Sequence, residues 1–171
     1  MKIFKTFIWL CISIISITGF SQECIYIKNQ IDEVSKKPIL QTKLEDLSFG
    51  TGKNETVRVQ GYKENNRRYL EVWLVLTDTF TIEKDGEFVL FTDDGVPITL
   101  HFEETKTAEN LKFPTPTTWA LHTLIPLNLK DYGFLKSHMF TKLSYRTSAG
   151  IIEHIIKPKR QENITKVIQC I

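Results

Sequence analysis

The chain has 171 residues, with 22 basic against 20 acidic side chains and a formal charge of +2. The excess comes from Lys2 and Lys5, so the part beyond residue 21 is balanced at 20 against 20. That balance removes any electrostatic case for nucleic acid or an anionic membrane surface. The length suits one domain able to fold without a metal.

Residues 1–21 (MKIFKTFIWLCISIISITGFS) predict a secretory signal. Lys2 and Lys5 form the positive start, residues 7–17 the apolar core, and Gly19 and Ser21 the small residues before a cut between Ser21 and Gln22. The apolar run is shorter than the about 20 residues of a membrane span, and Ser13 and Ser16 interrupt it. Lipid attachment needs a small residue directly before the cysteine, but Leu10 precedes Cys11 and Glu23 precedes Cys24. The expectation is an exported protein, periplasmic or secreted, with no transmembrane segment after cleavage, and residues 22–171 as a single β-rich domain.

Cleavage removes Cys11 and leaves Cys24 and Cys170. In an oxidising compartment such a pair predicts a disulfide tying the two ends of the domain together. A loop of that length corresponds to about 4–5 kcal/mol in the chain-entropy model. No CxxC or histidine spacing supports a zinc site, so no metal or cofactor is expected.

In chain order, residues 24–30 and 56–62 (TVRVQGY) read as strands, and a polar turn at 63–67 leads into 69–77 (YLEVWLVLT). That segment is apolar on both alternating faces, the mark of a central strand. Residues 84–87 (KDGE) form a turn, and 88–92 with 96–103 form a hairpin around Asp93-Asp94-Gly95. Pro97 places the second strand at a sheet edge. Residues 105–118 read as a loop without periodicity. Residues 119–125, 139–146 and 151–156 are strand-like, the last two joined by the turn Thr147-Ser148-Ala149-Gly150. Asn128 caps a short helix within 128–137, and 161–169 forms a second helix with Ile164, Val167 and Ile168 inward. The fold class is mainly β: an antiparallel β-sandwich or barrel-like fold with one or two short helices.

No catalytic constellation emerges. The chain lacks a G-x-S-x-G elbow and a glycine-rich phosphate loop. Asp93-Asp94 and Glu103-Glu104 are neighbours whose side chains diverge on a strand, whereas acid–base chemistry needs carboxyls that converge. His101, His122, His138 and His154 show no ligand spacing, and His154 shares an alternation with Ile152 and Ile156 that half-buries it. Arg67-Arg68 and Lys157-Pro158-Lys159-Arg160 adjoin turns. The candidate binding residues are Trp119, as an exposed anchor or a plug of one sandwich end, and Arg146 and His154, as the inward polar groups a small-ligand carrier needs. Asn54-Glu55-Thr56 and Asn163-Ile164-Thr165 fit the N-glycosylation pattern, relevant only in a eukaryotic route.

The signal end Gly19-Phe20-Ser21-Gln22 resembles secretory signals of Bacteroidetes such as flavobacteria. The run Lys84-Asp85-Gly86, Phe88-Val89-Leu90-Phe91, Asp93-Asp94-Gly95 and Ile98-Thr99-Leu100 is similar to small exported β-rich proteins of that group. Leu127-Asn128-Leu129, Leu135-Lys136, Leu143-Ser144-Tyr145-Arg146 and Ser148-Ala149-Gly150 continue the likeness. The resemblance implies export and a β fold and carries over no catalytic residue. The leading expectation is an exported, non-enzymatic β-sandwich that binds a protein or envelope component. The alternatives are a small-ligand carrier, or a hydrolase whose site assembles from distant residues.

Overall fold

The computed structural model describes residues 23–49, 55–111 and 118–171. The expected signal segment 1–21 with its expected cut between Ser21 and Gln22, the Asn54 glycosylation pattern and part of the expected 105–118 loop lie outside them. The described chain forms thirteen strands: β1 (Tyr26–Ile31), β2 (Pro38–Thr42), β3 (Glu45–Phe49), β4 (Thr56–Glu64), β5 (Arg67–Leu76), β6 (Thr81–Ile82), β7 (Glu87–Thr92), β8 (Pro97–His101), β9 (Lys106–Thr107), β10 (Glu109–Asn110), β11 (Trp119–Leu127), β12 (Phe140–Thr147) and β13 (Gly150–Ile155). Two helices, α1 (Leu129–Ser137) and α2 (Asn163–Gln169), complete it, with a 3-10 turn at Pro158–Arg160.

One antiparallel sheet runs β1-β2-β4-β5-β11-β10, with β3 also paired to β4; a second runs β13-β12-β7-β8. A small β6–β9 pair lies apart, and no described sheet closes into a barrel. The fold is a β-sandwich. The central strand read at 69–77 is β5, between β4 and β11. Leu70, Val72 and Leu74 are fully buried, and with Val57 and Val59 of β4 they face Phe88, Leu90, Leu143 and Tyr145 of the second sheet. The Pro97 strand is an edge, as its proline requires. Gly95 supplies the positive φ (81°) of the Asp93-Asp94-Gly95 turn.

The helices follow their signals. Asn128 Oδ1 accepts the Asp131 amide at 2.9 Å and caps α1. Ile164, Val167 and Ile168 of α2 are buried against β3 and β4. A side chain at Gly61 would strike the Val167 carbonyl, so glycine sets the close approach of α2 to the sheet. Cys24 and Cys170 form the disulfide, with a Cα–Cα distance of 5.6 Å. No described helix is long and apolar enough to cross a membrane.

The short strands β9 and β10 replace part of the expected 105–118 loop. β2 and β3 arise from a stretch with no clear alternation, because the polar Gln41, Thr42 and Ser48 are among their buried residues.

Candidate binding site

β13 ends the second sheet, and its register fixes what each residue faces. The Ser148-Ala149 turn pairs Thr147 with Gly150, Tyr145 with Ile152 and Leu143 with His154. Opposed residues of an antiparallel pair share a face. His154 therefore joins Leu143 and Tyr145 on the inner side, while Ile151, Glu153 and Ile155 face out.

His154 is 4% exposed, deeper than its sequence pattern suggested. Its ring stacks on Tyr145, with centroids 5.8 Å apart, and Tyr145 Oη lies 3.3 Å from Nε2. Burial, and then the charge of Glu55, push the Tyr145 phenol well above its ordinary range, so it keeps its proton. We assign that proton as donated to Nε2, the arrangement that satisfies a buried hydroxyl; the ring's own proton then sits on Nδ1. Nδ1 is buried and has no hydrogen-bond partner. Burial also lowers the His154 pKa below its ordinary value, favouring the neutral ring.

Beside His154 a cavity of about 510 Å³ opens at the sandwich edge, lined by Phe49, Glu55, Lys142, Glu153, His154, Ile155 and Lys157. The end of β3 supplies Phe49, the start of β4 is preceded by Glu55, and β12, β13 and the following turn supply the rest. Lys142 Nζ pairs with Glu153 at 2.8 Å. Lys157 has no ion pair among the described residues. The Arg160 guanidinium lies 4.1 Å from the Phe49 centroid, a cation–π contact that braces one wall. The lining thus combines an aromatic ring and an isoleucine with two acids and two amines, a set suited to an amphipathic group.

Comparison with protein-family models, curated proteins and solved structures returns no match.

The other expected residues are not gathered here. Arg146 is exposed, a correction to its reading as an inward group: it pairs with Ile151 on the outward row, while Leu143, Tyr145 and Thr147 take the inward positions. Trp119 is half-buried against the core, opposite Leu76 of β5 and Asn110 of β10. His101 is exposed and its Nδ1 lies 3.1 Å from the Asp85 carbonyl, while His138 stacks on Phe134. The two basic clusters are partly engaged: Arg68 sits over the Tyr132 ring, and Arg160 over Phe49. Asn163 is buried and donates to the Asp46 carbonyl, so it offers no accessible glycosylation acceptor. Among the described residues no group of three or more metal-ligating side chains converges.

A second polar cluster escaped the sequence. Glu71, 6% exposed, stands on the face of β5 opposite the main core, and its Oε2 accepts from Gln60 Nε2 at 2.7 Å and Gln41 Nε2 at 2.9 Å. Further along the same face Trp73 stacks on His122 at 4.8 Å, beside a smaller cavity of about 230 Å³. The partners of Glu71 come from two other strands, so no local motif announces them.

Proposed function

We propose that this is an exported, non-enzymatic binding module, and that the His154 cavity seats part of its partner. The observation that carries the reading is the cavity of about 510 Å³ at an open sandwich edge, with apolar and charged walls side by side. Export rests on the signal-like residues 1–21 and agrees with the Cys24–Cys170 bridge, since disulfides persist in oxidising compartments. Binding is favoured over proton-transfer chemistry by the state of the groups. Glu153 is engaged by Lys142, and His154 is held neutral with Nε2 covered by Tyr145. The cavity also has the volume of a small-ligand site, which supports carriage as the second reading.

Titration with p-cresol, N-acetyltyrosinamide, acetate and glucose, followed by the ring signals of His154 and Phe49, tests the seat. A saturable shift at both rings with p-cresol or N-acetyltyrosinamide, and none at His122, is the expected result. If no probe moves either ring, the cavity is not a binding seat. Tight binding of p-cresol or glucose alone, without response to an extended peptide, favours the carrier.

A further inference from the structure

The smaller cavity beside Trp73 and His122 arises where the chain changes sheets. β10 pairs Glu109 with Ala120 and Asn110 with Trp119, whereas β9 pairs Lys106 with Ile82 and Thr107 with Thr81 of β6. The crossing falls at Ala108, whose amide donates to Phe80 O at 2.9 Å. Along β11 the partner strand therefore stops at Ala120, and a gap of about 230 Å³ opens beside Leu121 and His122. Lys106, Thr107 and Glu109 line its other side. The described β10–β11 hairpin continues the opposite way, from Glu109 toward Leu111.

The walls of the gap carry unused polar groups. Leu111 N donates to Thr118 O at 3.0 Å. That bond sets the phase of the ladder, because bonded and unbonded pairs alternate between antiparallel strands. Thr118 and Ala120 turn their backbone groups toward β10. His122 and Leu124 continue the same row, with no residue of β10 opposite them. Their N–H and C=O have no partner among the described residues. The Glu109 carboxylate and the His122 ring nitrogens have no hydrogen bond or ion pair there either. Trp73 and His122 are directly opposed on β5 and β11, and their rings stack with 22° between planes. Trp73 covers the side of the imidazole toward β5, so the other face turns to the open edge.

These features select an occupant. An added strand is opposed by Pro126, which stands in the same outward row as His122 and Leu124 and has no N–H. The volume is below the about 300 Å³ at which drug-sized sites begin, and suits a single ring. Lys106, 3.6 Å from Glu104, and Glu109 bring one charge of each sign to the lining, so the gap calls for no net charge. Donors and acceptors alternate around it: the His122 N–H gives, while the His122 carbonyl and Glu109 accept. A hydroxyl does both. The C–H face of a saturated ring, slightly positive, packs on the negative face of an aromatic ring. A ring with hydroxyls on its rim and C–H groups on its face is a sugar.

We infer that this gap seats one neutral pyranose residue, free or at the end of a glycan, stacked on His122 with hydroxyls bound by Glu109 and the His122 backbone. The seat is separate from the His154 cavity and stands or falls without it.

The probes are the methyl β-glycosides of glucose, galactose and N-acetylglucosamine, and methyl α-mannoside. Cyclohexanol, acetate and methylammonium serve as controls. We expect at least one glycoside to shift the His122 ring and the Trp73 indole N–H saturably, with a Kd of about 1 mM, and to leave His154 unmoved. Binding of the matching tetrasaccharide about tenfold more tightly would mark a glycan as the source, and equal binding a free sugar. His122→Ala should weaken the glycoside about tenfold and His122→Phe should restore it, because the ring face is kept. Glu109→Ala should weaken it about tenfold or more. Both positions are exposed, and circular dichroism should show the variants folded. If no glycoside moves either ring, the seat does not exist. Equal binding of cyclohexanol overturns the hydroxyl recognition, and binding of acetate or methylammonium in place of the glycosides overturns the neutral ligand. Unaltered affinity in both alanine variants, or shifts at His154 instead of His122, overturns the location.

Discussion

Replacing both bridge cysteines, as Cys24→Ala with Cys170→Ala, separates the covalent closure from the packing of the C-terminus. The bond spans 146 residues, for which the chain-entropy relation gives about 5 kcal/mol. It joins unlike partners. Five of the six β1 residues are exposed, and the strand pairs on one side with β2. The C-terminus holds without sulfur: the Cys170 carbonyl accepts from Tyr26 Oη at 2.8 Å, and the Ile171 carbonyl from Arg68 Nε at 3.1 Å and Tyr132 Oη at 3.3 Å. The loss should therefore have two signatures. Urea unfolding of the double-alanine variant should show a stability lower by about 4–5 kcal/mol. Native-state exchange should show the β1–β2 amides opening well before those of β4 and β5. A domain near the low end of the usual range, about 5–15 kcal/mol, would scarcely fold without the bridge, so the variant is compared in stabilising sulfate as well. A loss below about 1 kcal/mol, with β1 exchange unchanged, would refute the view that the bond restrains a weak edge strand.

Three other perturbations test the packing. Because burial lowers the His154 pKa below 6.5, the unfolded chain takes up the proton first; stability should be complete above about pH 6.5 and fall as pH drops toward the depressed native value. His154→Gln should flatten that slope in urea midpoints measured across the window, and an unaltered slope would assign it to other groups. Glu71→Ala strips the acceptor from two buried amides and should cost about 2–4 kcal/mol, whereas Glu71→Gln keeps an acceptor oxygen and should lose distinctly less; equal losses in thermal unfolding would count against the cluster. Gly61→Ala should cost about 1–3 kcal/mol by forcing α2 off β4, and calorimetry showing no loss would mean that the contact yields freely.

The parts of the fold legible in the sequence are those where one strand face is apolar and the other polar. β8 alternates because Ile98 and Leu100 are buried while Pro97, Thr99 and His101 are exposed. β2 and β3 carry no such rhythm, since Gln41, Thr42 and Ser48 are among their buried residues. Hydrophobic periodicity cannot register a buried amide. β6, β9 and β10 are two residues each, too short for any period. The choice of an open sandwich over a barrel depends on which edges remain unpaired, a long-range outcome that local pattern does not encode. At the candidate site His154 was marked by its alternation with Ile152 and Ile156. Arg146 had a signal too: it falls out of phase with Leu143 and Tyr145, so parity alone assigns it to the outer row. The Glu71 cluster left none, because Gln60 and Gln41 lie 11 and 30 residues away.

The sheet edges are treated unequally, and that inequality bears on function. Exposed edges invite pairing, and proteins blunt them with proline, lysine, covering segments or staples. In β8 the bond from Phe102 N to Gly86 O sets the phase so that residues 97, 99 and 101 point their backbone groups outward. Pro97 removes one of those three donors. β1 carries Lys28 and is stapled near its start by Cys24. β13 has neither proline nor lysine. Its three outward positions are Ile151, Glu153 and Ile155, two of them large and exposed. Glu153 between them is already engaged by Lys142 at 2.8 Å, so the row presents apolar side chains around a paired carboxylate. Of these three edges β13 is thus the least blunted, and the cavity that opens beside it draws its walls from both rows of the strand, His154 from the inner and Glu153 and Ile155 from the outer.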